Sequence, residues 1–345
     1  MQMLRLILSD KFIWLLGGAV LLAILLPVKG SAVPVASAAV TAGIFTIFLL
    51  HGIRIDRKEI WSGLKNWRLQ GSVFLFVFGA MAAAGWGLSA VLENSITPMI
   101  ALGFLYLGCL PSTVQSAASY TAIARGNVGA SVVAAAAINL SAILVTPLLF
   151  ALLAKSVGVV ISGDTFLRIA MMLLLPFAIG QFIQPWARGW VKRHSGITGW
   201  ADKLAISLAV YVAFSGAVVA GIWNSVPAKD FGLVALATAG LLCFAFGGAW
   251  ALGKIGGFAK ADRIALLFGG AHKSIAVGAP LAALLFPAEQ AGLILVPLLL
   301  YHLSSLIASA PLALHLAEDE SERRASAGLT ARIGNDPAIP SRNVR

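Results

Sequence analysis

Acidic side chains are scarce in this sequence, and none stands in the middle of a long apolar run. Asp and Glu number 14 among 345 residues, charged residues of both signs make up 11%, and hydrophobic residues make up 59%. So little charge excludes an ordinary soluble domain of this length, which would need polar side chains to cover its surface. The mean hydropathy of +0.90 places the chain in the integral-membrane class. Only two cysteines occur, Cys109 and Cys243. They exclude a disulfide framework or a cysteine metal site, and both are expected as small core residues. The apolar runs show no period-two alternation, which excludes barrel strands. No nucleophile motif, metal-ligand set or paired carboxylate is present, so the sequence argues against an enzyme and implies no cofactor and no metal.

What the sequence has instead is length in its apolar runs. A bilayer core of roughly 30 Å takes about 20 apolar residues in helix. Such runs lie near 12–28, 35–53, 71–92, 97–123, 128–154, 166–185, 204–223, 231–253, 262–286 and 291–315. Arg5 and Lys11 before the first run have the form of a signal peptide. That run is long for one and similar runs follow it, so it is read as the first span. Of the 25 Lys and Arg, only Lys29, Lys155, Arg168, Lys229 and Lys273 fall outside the segments that ten alternating spans assign to the side of the N-terminus. Such a bias predicts an even number of spans with both termini in the cytoplasm. The net charge of +11 then reports topology and contact with anionic lipid, not nucleic acid. The fold class expected is therefore an all-α polytopic membrane protein of ten helices. A transmembrane domain over 1–317 is followed by a solvated, disordered cytoplasmic tail over 318–345, beginning "EDESERR".

Ten spans divide into two sets of five, about 12–154 and 166–315. The fourth is interrupted at "GCLPSTVQS" by Pro111, and the ninth at "GGAHKS" by Gly269 and Gly270. Proline removes a backbone donor, and paired glycines weaken a helix. Five is odd, so the second set is expected to be inverted relative to the first. Interrupted spans at matching places in two inverted repeats point to a transporter site near the bilayer midplane. Backbone freed from helix cannot face lipid, so it must line a cavity or pack within protein.

The stretches "LPSTVQSAASYTAIARGNVGASVVAAAAINL", "KADRIALLFGGAHKSIAVGAPLA" and "LILVPLLLYHLSS" resemble a divergent branch of the bile acid:sodium symporter (SBF-like) family. The resemblance covers about residues 10–316. It implies ten helices in a panel and a core domain, with the broken helices 4 and 9 crossed. Sodium-coupled members hold their ions at that crossing with a glutamate and a Gln-Asn-Ser triplet. The triplet falls on His272, Lys273 and Ser274, and the glutamate near Phe268. This chain thus lacks the carboxylate and carries a cation instead.

An unpaired lysine in a span costs at least about 2.5–3.5 kcal/mol and generally marks a pathway. Lys273 is expected to take the place of a sodium ion, satisfied by carbonyls of the fourth span and by Ser112, Thr113 or Gln115. Alternatively it snorkels to an interface, or caps broken backbone. Lysine and histidine both carry protons, so Lys273 or His272 could couple transport to protons. Ser116 and Ser274 belong to the same two breaks. Ser131 and Asn139 share a face of the fifth span, and His302, Ser305 and Ser309 share one of the tenth. Each of these is either a binding residue or interhelical hydrogen-bond glue. Arg125, in "ARGN", is expected to end the fourth span.

The function these features favour is alternating-access transport of a small organic anion across the cell's inner membrane, coupled to protons or uncoupled. A sodium-coupled bile-acid-type symporter and a non-transporting membrane sensor are the alternatives. The implied partners are the anion, the bilayer, and a proton or sodium ion.

Overall fold

Backbone in lipid can satisfy its polar groups only as helix or closed barrel, and the long runs of small and branched apolar residues take the first course. The computed structural model describes residues 11–54, 66–156 and 163–334, and among these every regular element is helical. Arg5, Arg57, Lys58 and Lys65, which the charge bias uses, lie outside the described residues. Helices α1 (Lys11–Leu25) and α2 (Ala32–Arg54) come first. Next is a rod formed by α3 (Trp67–Leu75), a π-helical turn (Phe76–Ala80) and α4 (Met81–Leu92). A broken pair follows, α5 (Pro98–Cys109) and α6 (Val114–Ile123), bent by 64°. Then come α7 (Val128–Ser156), α8 (Gly163–Arg193), α9 (Ser195–Val219) and α10 (Ala228–Ile255). The second broken pair is α11 (Lys260–Ala271) and α12 (Ile275–Leu285), and α13 (Ala288–Gly334) closes the chain.

Seven of the described stretches are long and apolar enough to cross a bilayer, counting Trp67–Leu92 and Lys260–Leu285 as one each. The bent pair of α5 and α6, taken as one span, makes an eighth. At 15 residues, α1 is shorter.

Close crossings fix the packing. Helix α2 lies along α8, and α4 along α5. At the first crossing a methyl group on Gly52 or Gly180 would run into the carbonyl of Phe177 or Leu49. At the second, Gly85 and Gly108 meet in the same way, against the carbonyls of Phe104 and Met81. Without side chains in between, the backbones approach as small residues allow in membranes. The consequence for the site is that the end of α5 is pressed against the rod that carries the π turn.

The two broken spans are also tied at their far ends. Arg125 adopts φ 58° just past α6. The next turn brings Asn127 to α11, where its amide donates to Asp262 Oδ1 at 2.8 Å and its backbone N–H to the carbonyl of Ala261 at 2.9 Å.

One sequence expectation is corrected here. Cys109 is buried but Cys243 is exposed, because an apolar run does not distinguish the face toward lipid from the face toward protein. Helix α13 runs on to Gly334 through the first part of the tail, while 335–345 lie outside the described residues. Residues 318–327 contain no proline or glycine and are rich in Glu, Arg and Ala. Those residues keep a helix going after it has left the apolar phase.

Candidate functional site

Each broken span exposes backbone that a continuous helix would have satisfied. In the first, Pro111 offers no N–H, and the residue before it is driven out of helical geometry. Leu110 is accordingly extended (φ −77°, ψ 151°). In the second, His272 and Ser274 are extended without any proline. The two breaks meet: the Ser274 N–H donates to the carbonyl of Pro111 at 2.8 Å.

Lys273 lies between them, with 0% of its surface exposed. Its Nζ donates to the carbonyls of Leu110 at 2.7 Å, Gly108 at 2.9 Å and Val77 at 3.3 Å. Three acceptors match the three N–H groups of an ammonium. Gly108 and Leu110 belong to the C-terminal end of α5, where carbonyls lack intrahelical partners and the helix dipole is negative. Val77 belongs to the π-helical turn, which departs from the regular ladder. The amine therefore does not snorkel. Among the described residues its hydrogen bonds go to these three carbonyls, not to the hydroxyls or amide of Ser112, Thr113 and Gln115, because freed backbone lies closest to the nitrogen. A charge without a carboxylate is thus compensated by peptide dipoles.

His272, next in the chain, points the other way. Its Nε2 is 2.7 Å from Ser309 Oγ, and its Nδ1 is 2.9 Å from Ser116 Oγ and 3.4 Å from Thr113 Oγ1. Thr113 and Ser116 are also bonded to each other. The ring is enclosed by Tyr120, Phe246 and Phe268, at centroid distances of 5.6, 6.4 and 6.1 Å.

Further donors meet other carbonyls of the breaks. Asn139 Nδ2 donates to Ser112 O and to Ala135 O, each at 2.7 Å. Tyr301 OH donates to Ala271 O at 2.6 Å, and His302 Nδ1 lies 3.4 Å from Lys273 O. Ser274 caps α12, its Oγ accepting from the Val277 N–H at 3.3 Å. Thr113 makes no such cap for α6.

A cavity of about 590 Å³ opens beside the breaks. One wall is Thr113, Gln115, Ser116, Asn139, Ser274 and His302. The opposite wall is largely apolar, with Phe12, Phe48 and Phe177 from α1, α2 and α8, together with His51 and Arg54. Arg54 Nη1 is also paired with Asp202.

Six of the ten residues singled out in the sequence therefore share one wall, while Ser112, Ser131, His272 and Lys273 lie outside the lining. Ser131 accepts from Thr121 at 3.3 Å and ties α6 to α7. The buried Ser112 hydroxyl has no hydrogen-bond partner among the described residues. Ser305 bonds back to the carbonyl of His302 within its own helix, at 2.8 Å.

Sequence reading missed Val77, Tyr301, His51 and Arg54. Tyr301 stands in the "LLLYH" stretch beside His302, a lone phenol amid leucines that could have raised it. Arg54 was legible only as a loop cation. Nothing in "FVFGA" announces a π turn.

A family model described as the SBF-like CPA transporter family matches residues 10–318. An uncharacterized protein of Pseudomonas aeruginosa is 36% identical over 320 residues, covering 92% of this chain and 96% of that one. YfeH of Escherichia coli, named as a candidate symporter, is 36% identical over 304 residues, covering 88% and 92%. Sodium/bile acid cotransporter 7 of Mus musculus is 28% identical over 267 residues, covering 74% and 76%.

Proposed function

The chain belongs to the SBF-like CPA transporter family, and on that premise we propose that it carries a small organic anion across the membrane by alternating access. In this reading the ten helical runs form two inverted five-helix repeats. The broken pairs cross at the midplane, and the N-terminus and tail lie in the cytoplasm, with the inner membrane as the site of action. Helices α1, α2, α8 and α9 form the panel, and the rest form the core. The cavity between them takes the substrate. Its uncapped α6 N-terminus and the Arg54 guanidinium suit negative charge, and Phe12, Phe48 and Phe177 suit an apolar body.

The observation that carries the reading is the Lys273 ammonium held by three carbonyls, two at the first break and one in the π-helical turn beside it. A cation fixed to the chain does there what a bound sodium ion would otherwise do, so transport is coupled to protons or is uncoupled. The name of the mouse relative favours the alternative, a sodium-coupled bile-acid-type symporter.

Reconstituted vesicles separate these readings. Uptake of a panel of organic anions, taurocholate among them, is measured with a sodium gradient alone and with a pH gradient alone. The expected outcome is uptake that ignores sodium and is lost in Lys273→Ala. Uptake driven by sodium alone would overturn the tethered-cation account and leave the transporter assignment standing.

A further inference from the structure

Two proton carriers stand side by side in the second break, and the surroundings treat them oppositely. Lys273 spends its three N–H groups on three backbone carbonyls. Those carbonyls can only accept, so losing the proton leaves one of them buried without a donor. The cavity lining does not include Lys273. His272 is bonded on both nitrogens to hydroxyls, Ser116 at Nδ1 and Ser309 at Nε2. A hydroxyl donates or accepts as needed, so the ring can gain a proton and strand no partner. Ser116 and Thr113 line the cavity, whereas Ser309 is 0% exposed. The imidazole is therefore one hydroxyl away from the substrate chamber.

We infer that His272 is the proton-binding residue of the transport cycle, reached from the cavity through Ser116, and that Lys273 is a fixed charge that does not titrate in the cycle. The inference rests on the transport reading above and names its coupling site. In the neutral ring Nε2–H donates to Ser309 Oγ, and Nδ1 accepts from Ser116 O–H. A cavity hydronium gives a proton to Ser116 Oγ, which passes its own proton to Nδ1. Water is left behind, and the imidazolium donates to both hydroxyls. The reverse sequence discharges it.

The groups facing the ring decide what that charge does. Tyr120 of α6 and His302 of α13 are the titratable ones, the latter interacting electrostatically with the ring. Helices α10 and α11 present Phe246 and Phe268. Lys273 adjoins it in the chain, its amine turned to α5. No carboxylate is among these groups. A charged His272 is then relieved most by an anion in the adjoining cavity, so proton and anion binding reinforce one another. The result is proton–anion symport, not exchange.

The test needs no known substrate. The protein, with five histidines, is labelled at histidine with 13C and 15N and placed in lipid nanodiscs. The ring signals are followed from about pH 4 to about pH 9, with His272→Gln identifying those of His272. The expected result is a change from neutral to doubly protonated ring, its midpoint displaced by about one pH unit in Ser116→Ala. A ring that stays neutral throughout, or a midpoint indifferent to Ser116→Ala, overturns the inference.

Gln can bond both serines, so His272→Gln also separates structure from coupling. It should fold as the wild type does and lose accumulation driven by a pH gradient. If that accumulation survives, the inference fails and the transport reading stands. If no anion is carried but the ring titrates, the reverse holds.

Discussion

The two breaks occupy matching places in their spans and are chemically unlike. The first bends its span by 64° around Pro111 and brings no charged side chain. The second, without proline, carries the histidine and the lysine, and Lys260–Leu285 still passes as a single span. The first break supplies acceptors: the carbonyls of Gly108, Leu110, Pro111 and Ser112 all point at donors from elsewhere. The second supplies donors, the Lys273 ammonium and the Ser274 N–H. Its own Ala271 carbonyl needs only the neutral phenol of Tyr301. Matching positions need not hold matching chemistry. Here one break has become the counter-charge of the other, and their meeting point is closed by the chain itself.

Removing the donor side of this pairing should have the largest effect. Lys273→Met keeps the volume and leaves three buried carbonyls without partners. It is expected to destabilise the protein by about 2–5 kcal/mol, measured by unfolding in mixed micelles. Lys273→Arg, which keeps the charge in a bulkier form, should lose less. If Met is as stable as wild type, the breaks do not depend on the cation and the contrast collapses.

Asn139→Ala releases a carbonyl of the first break, that of Ser112, from a neutral donor. A loss of about 1–2 kcal/mol is expected, read by the same unfolding assay. Tyr301→Phe removes one neutral bond at the second break, and about 1 kcal/mol is expected. A Tyr301→Phe loss as large as that of Lys273→Met would mean the two breaks are equivalent after all. Ser274→Ala removes the cap of α12 and should cost about 0.5–1 kcal/mol. Thr113→Ala should cost less as a cap, because Thr113 does not cap α6. Comparing this pair in one stability series would sharpen the difference between the helix starts.

Much of the arrangement was legible in advance because its causes are local. Spans announce themselves by twenty residues of composition, and the breaks by Pro111 and by a charged pair among glycines. The polar wall of the cavity was legible for the same reason, since Thr113, Gln115, Ser116, Asn139, Ser274 and His302 sit at or beside those signals. What escaped depends on which backbone comes near which. Lys273 was expected to meet carbonyls of the fourth span together with hydroxyls, and it met carbonyls alone, one of them on Val77, which is distant in the chain and carries no sequence signature. Arg54 looked like one of many cations at a span end until the fold set it on the cavity wall. The run of α13 on to Gly334 carries no apolar signature, and polarity says where a segment dissolves, not whether its backbone stays helical.

The most direct test of the tethered cation is the thermal stability of the purified protein in sodium chloride against choline chloride at equal ionic strength. A sodium site filled to about a hundred times its dissociation constant would add about 2.7 kcal/mol. With Lys273 already holding the carbonyls, the wild type is predicted to melt at the same temperature in both salts. A rise specific to sodium would contradict the account.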